Sequence, residues 1–158
     1  CINTPEDPYK AERIGLQGEV AVAKVFPGLA VDIEYKKGGD RTDFLISDYT
    51  TDMKTSRCNL SRILITAISE MGHVFDIKDI YLGGYRKREF IEDKLSIIHL
   101  VGFTTKERVL TLPIVPAPTW KGDTRTKLHQ NYEIYFSRML SIEKFHKYYV
   151  NQLLPKKV

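Results

Sequence analysis

Within Arg41 to Arg57, RTDFLISDYTTDMKTSR, three charged side chains stand at spacings that suit phosphoryl chemistry: Asp43, Asp52 and Lys54. Alternate side chains of a strand share a face, so Asp52 and Lys54 point one way while Met53 and Thr55 point the other. Pairing the two apolar runs as a hairpin sets Asp43 near them across the ladder and turns Phe44, Ile46 and Met53 toward a core. Two adjacent carboxylates repel unless a cation sits between them, and their oxygens suit Mg2+, with Mn2+ able to substitute; Met53 can add its backbone carbonyl. A divalent ion there would polarise a phosphoryl oxygen and lower the pKa of a bound water. Lys54 would orient or deprotonate that water, or stabilise charge developing on the phosphate. Glu19, upstream, can reach the same cluster and hold a metal-bound water or a second ion, with Glu12 as the alternative acid.

Spacing alone does not select this cluster. An acidic residue two before a lysine occurs four times, at Glu34–Lys36, Asp52–Lys54, Asp76–Lys78 and Glu92–Lys94. Only Asp52–Lys54 follows both an aspartate heading a neighbouring apolar strand and a helix carrying Gly18-Glu19. The rival reading is a solvated hairpin face with an exposed ion pair, which contributes little to stability.

The elements that must position these groups can be read in order. Pro8 to Phe26 reads as a helix with Asp7 as N-cap and Pro8 in the first turn. Ile14, Gly18, Ala21 and Val25 form its core stripe, and Pro27-Gly28 ends it. Val31 to Tyr35 reads as a strand and Lys36-Lys37-Gly38-Gly39 as a basic loop. The hairpin follows, with strands Asp43 to Ile46 and Thr51 to Ser56 and a turn over Ser47 to Thr50. Ser61 to Thr66 is a further strand, with the option of running into a short helix ending near Gly72. Asp79 to Tyr85 and Leu95 to Val101 are also strands, then a short helix spans Thr105 to Leu110. Residues 111–130 carry three of the seven prolines and form a long surface excursion. Tyr132 to Phe136 returns to the sheet, and SIEKFHKYYVNQLL forms a closing helix. The order implies an α/β or α+β layered fold rather than a bundle.

Composition narrows the class. The 158 residues, 42% hydrophobic and 28% charged, fit one domain with a real core. No apolar run approaches the roughly 20 residues that span a bilayer. The opening CINTPEDPYK does not read as a secretion signal, and a first residue other than Met suggests a trimmed or processed start. Cys1 and Cys58 make neither a disulfide scaffold nor a zinc site, which favours a reduced, cytoplasmic setting. A net charge of +4 favours an anionic partner, nucleic acid first.

Gly18-Glu19 on a first helix, Thr42-Asp43 opening one strand, and Asp52-Met53-Lys54 with Thr55-Ser56 on the next resemble the core of the PD-(D/E)XK nuclease superfamily. The segments DIYLGGY, LSIIHLVGF-TTKERVL and NYEIYFSRMLSIEKF are similar to the middle and closing strands of its small members, so the resemblance covers roughly residues 9–146. Thr42 stands where proline is common, and Asp52 where glutamate is also frequent; neither change removes a ligand oxygen. The resemblance implies a restriction-endonuclease-like α/β fold, a mixed β-sheet flanked by α-helices, and metal-dependent hydrolysis of phosphodiester bonds. Asp43 and Asp52 would be metal ligands, Lys54 the catalytic lysine and Glu19 the helix acid. The implied partner is DNA, double-stranded first, cut by a homodimer or in two successive events. Restriction, mobile-element, phage-type and junction-resolving enzymes all fit. The competing readings are a non-catalytic nucleic-acid-binding module on the same fold and an RNA-directed nuclease.

Around the cluster, Lys36, Lys37 and Arg41, then Arg57 and Arg62, are candidate phosphate contacts. Arg86-Lys87-Arg88 reads as a charged turn more readily than as a DNA-facing rim. Trp120 with Lys121, Arg125 and Lys127 either grips nucleic acid or packs on the sheet. The four histidines show no ligand spacing, and His99 reads as a core or edge residue. Phe145 to Tyr149 reads as core packing or a dimer surface.

Overall fold

A computed structural model describes residues 8–27, 30–31, 42–46, 48–56, 61–86 and 97–150, the side chains of 8–13 and 30–31 excepted. Helix α1 (Pro8–Val25) opens the chain. Strands β1 (Ala30–Val31), β2 (Phe44–Ile46), β3 (Tyr49–Ser56), β4 (Arg62–Ile68), β5 (Ile80–Arg86) and β6 (Ile98–Thr105) follow. A single turn, α2 (Lys106–Val109), precedes β7 (Ile114–Pro116) and β8 (Gln130–Tyr135). The end consists of a 3-10 turn (Phe136–Arg138), β9 (Leu140–Ser141), α3 (Ile142–Phe145) and a π-helical turn (His146–Val150).

These strands make two sheets. The larger is ordered β1-β2-β3-β5-β6-β9 and the smaller β4-β8-β7. In the larger, β3 and β5 run parallel and the other neighbours antiparallel, so the sheet is mixed. The expected α/β class holds in this form. One face carries α1 and the C-terminal helical turns. The other is covered, among the described residues, by the second sheet with α2, where helices were expected.

Two apolar cores follow from this layering. The first joins Val22 and Phe26 of α1 to Phe44, Ile46, Met53, Leu82, Phe103 and Phe145. The second packs Tyr81 of β5 against Ile63, Ile65, Tyr132 and Ile134 of the smaller sheet and Val109 of α2. Strand parity explains the division: Met53 and Leu82 face the helices, while Asp52 and Tyr81, paired across β3 and β5, face the second sheet. Asp79 locks that register, its Oδ2 accepting from Thr50 N at 2.8 Å and Thr50 Oγ1 at 3.0 Å. Asp79 N donates back to Thr50 Oγ1 at 3.0 Å.

Several boundaries differ from expectation. The buried stripe of α1 is Ile14, Gly18 and Val22, while Val25 is 56% exposed. Burial recurs every four residues, from Ile14 through Gly18 and Val22 to Phe26, and so passes by Ala21 and Val25. Tyr49 and Thr50 belong to β3 rather than to the turn. The option of a helix ending near Gly72 is not taken: β4 gives way to a turn, and Ile68 bridges Val74. The excursion over 111–130 is partly ordered, because β7 pairs with β8. Of the closing aromatics, Phe145 is fully buried and Tyr149 meets Phe103 edge-on at 5.7 Å between ring centres, whereas Tyr148 is exposed. No described helix is long and apolar enough to cross a membrane.

Candidate active site

Hairpin register creates the cluster. Phe44 opposes Thr51 in the β2–β3 ladder, so continuing it by one residue sets Asp43 against Asp52. Phe44 and Ile46 are buried on the helix side, which forces Asp43, Asp52 and Lys54 to the opposite face. Asp43 is anchored by the Met53 N–H, which donates to its Oδ2 at 2.8 Å. Lys54 Nζ pairs with Asp52 Oδ2. Both carboxylates are buried, at 7% and 6% exposure, while the Lys54 side chain keeps 38% of its surface in solvent.

Glu19 joins from α1. It adds negative potential to both Asp43 and Lys54. Gly18 makes that approach feasible, because a Cβ there would run into Thr55 Oγ1 and stand 3.2 Å from Met53 Cγ. Gln17 Oε1 and Thr55 Oγ1 are buried at this seam without a hydrogen bond among the described residues.

The electrostatics follow from crowding. Burial, then the charge of Asp52 and less strongly that of Glu19, push Asp43 from an ordinary 3.8 to about 7, against the Met53 N–H and Lys54. Burial by itself would lower the Lys54 ammonium. Asp52 and, at longer range, Asp43 and Glu19 more than offset that, so it lies above its ordinary 10.5. Lys54 is therefore a cation at neutral pH that donates and does not take up a proton. Asp43 is the group that exchanges a proton near neutrality.

Sequence reasoning missed Tyr81, which lies opposite Asp52 and shares its face. Burial, with a smaller push from Asp52, holds its phenol above the ordinary 10, and its oxygen accepts from Lys78 N at 2.9 Å. Period-two parity in DIYLGGY was the available signal; the pairing partner was not. Gly83, opposite Lys54, leaves a notch filled by Met139, whose sulfur lies 2.7 Å from where a Cβ would stand.

The remaining candidates divide. Arg62 lies on β4 in the second sheet and pairs with Glu133 at 2.8 Å, so its charge is already compensated. Met53 donates its N–H to Asp43 Oδ2. Lys36, Lys37, Arg41, Arg57, Lys87, Arg88, Cys1 and Cys58 lie outside the described residues, as does the side chain of Glu12. Trp120 carries Arg125 over its ring at 4.4 Å, and Arg125 also pairs with Asp123 at 2.8 Å. That loop is thus tied to itself. His99 is exposed on β6.

For a divalent ion, the donor set is two buried aspartates with Glu19 in electrostatic range. A carboxyl raised to about 7 by burial and then by neighbouring negative charge is one that a cation would relieve. Among the described residues, no three His, Cys, Asp or Glu side chains stand close enough together to hold an ion. Lys54 holds the Asp52 oxygen instead. Comparison with protein-family models, curated proteins and solved structures returns no match.

Proposed function

We propose that the chain is a metal-dependent endonuclease that hydrolyses phosphodiester bonds in DNA, on a restriction-endonuclease-like form of the mixed fold. The observation that carries this reading is one cluster in which Asp43, Asp52 and Lys54 share a face of the mixed sheet and interact electrostatically with Glu19 of the first helix. Burying two aspartates costs stability, which the Met53 N–H at Asp43 and the Lys54 ammonium at Asp52 offset only in part. Asp43 and Asp52 would hold Mg2+, with Mn2+ as substitute. When bound, the ion supplies Lewis-acid polarisation of the phosphate and a more acidic water.

The chain's own groups do the rest. Lys54, cationic at neutral pH, offsets charge that builds on the phosphoryl oxygens as the nucleophile attacks. Glu19 orients a water on the helix side, and the Tyr81 phenol stays protonated beside Asp52.

Plasmid cleavage with Mg2+, then with EDTA, in the native chain and in Asp52→Asn and Lys54→Ala tests the reading. Each substitution is expected to slow cutting on the order of 100-fold or more. Unimpaired cutting in both variants would remove the assignment. A second reading, a nucleic-acid-binding module that does not cut, draws support from the Lys54–Asp52 ion pair, which occupies an oxygen a metal would use. It predicts salt-sensitive binding and no cleavage with any metal.

A further inference from the structure

The face that bears Asp52 and Lys54 continues across the sheet into an aromatic stack. Ser56 stands two residues beyond Lys54, roughly 7 Å along β3, and is registered opposite Tyr85 of β5. Tyr85 is in turn opposite His99 of β6. The two rings stack, 5.0 Å between centres and 7° from parallel. Phe136 backs Tyr85 from the turn after β8, at 6.0 Å and tilted by 31°. Phe136 also lies near the Gly83 notch opposite Lys54. Phe136 and Tyr85 are both partly buried and His99 is exposed, so the cluster opens to solvent at His99. A core aromatic cluster would end on a buried ring. This one ends on a flat ring in solvent, on the sheet face that also bears Lys54, with exposed Arg138 in the same turn as Phe136.

We propose that the Tyr85–His99 stack is a platform for a nucleobase of the strand whose phosphate lies at Lys54, so that the site takes nucleic acid with an unpaired base there: a flap, overhang or loop. The inference rests on the nuclease reading and narrows its substrate. Two strand spacings of about 4.8 Å separate β3 from β6, which with the step along β3 makes about 12 Å, so at about 3.4 Å per stacked nucleotide the platform is about three to four nucleotides from the phosphate site. Base pairing within continuous duplex hides the ring faces such a platform needs, whereas unpaired bases expose them to aromatic side chains irrespective of sequence.

The test is binding in EDTA, which requires no cleavage. Single-stranded 12-mers carrying 2-aminopurine at successive positions are titrated with the native chain, His99→Ala, His99→Phe and Tyr85→Leu, with a matched duplex alongside. The native chain is expected to quench 2-aminopurine at one or two adjacent positions and to leave the duplex signal unchanged. His99→Ala should abolish the quench and weaken single-strand binding about tenfold; His99→Phe should restore both. Quench and affinity unchanged in both His99→Ala and Tyr85→Leu would overturn the platform. The same binding pattern with no Mg2+-dependent cutting of a flap would keep the platform and remove the nuclease reading. Flap cutting by the native chain with no quench at any position would remove the platform alone.

Discussion

Asp43 behaves as a charge in the wrong place for stability, and this gives its titration a sign. Its proton affinity is higher folded than unfolded, about 7 against 3.8. The native state therefore binds the extra proton between those values, and stability falls as pH rises through that window. The full span corresponds to at most about 4 kcal/mol. Urea melts in EDTA between pH 4.5 and 8 are expected to show this loss. Asp43→Asn, which keeps an oxygen for the Met53 N–H, should flatten the slope and be the more stable protein at pH 8. An unchanged slope in that variant would mean that Asp43 ionises normally in the fold. Asp52 and Lys54 respond as a pair: Lys54→Met would leave Asp52 buried without its ammonium, at a cost of roughly 3 kcal/mol in urea melts.

Among the elements, α1 and β3 carry the heaviest constraint, because Glu19 reaches the cluster only if the helix lies directly on the strand. Gly18 is the contact point. Gly18→Val would drive side-chain carbons into Thr55 and Met53 and is expected to cost roughly 1–3 kcal/mol. By moving Glu19 it should also lower cleavage more than its effect on thermal stability explains. Comparing turnover at a temperature where both proteins are fully folded separates the two effects. On the other side of the hairpin, Gly83→Ala forces Met139 out of its notch opposite Lys54. Met139 is flexible enough to move, so the expected loss there is the smaller one, under about 1.5 kcal/mol.

For the molecule as a whole, a ligand that binds only the folded chain raises its stability. Mn2+ or Mg2+ at about 100 times its Kd is expected to add about 2.7 kcal/mol, read as a rise in melting temperature. The gain should be larger at pH 8 than at pH 6, because Asp43 must give up its proton to act as a ligand. Asp52→Asn should abolish it. A rise of equal size in that variant would place the ion elsewhere in the fold.

Much of this arrangement is legible in the residues themselves. Alternation along FLISDYTTDMK puts Phe44, Ile46 and Met53 on one side and Asp43, Asp52 and Lys54 on the other, since a strand's period of two leaves no other choice once one face is buried. The first helix, the hairpin and the later strands are likewise local patterns. What local pattern does not carry is which strands become neighbours. The parallel pairing of β3 with β5, which brings Tyr81 to Asp52 and sets the Tyr85–His99 stack beyond Lys54, joins segments more than 20 residues apart. The diversion of β4 and β8 into a second sheet depends on a burial balance summed over the whole fold. Proton affinity has the same origin: an aspartate acquires a value near 7 only when burial and other carboxylates from distant segments close around it. The sequence by itself thus determined which groups share a face, because that is a property of backbone geometry. Only the tertiary structure decided how tightly they are crowded, because desolvation and charge repulsion act through space rather than along the chain.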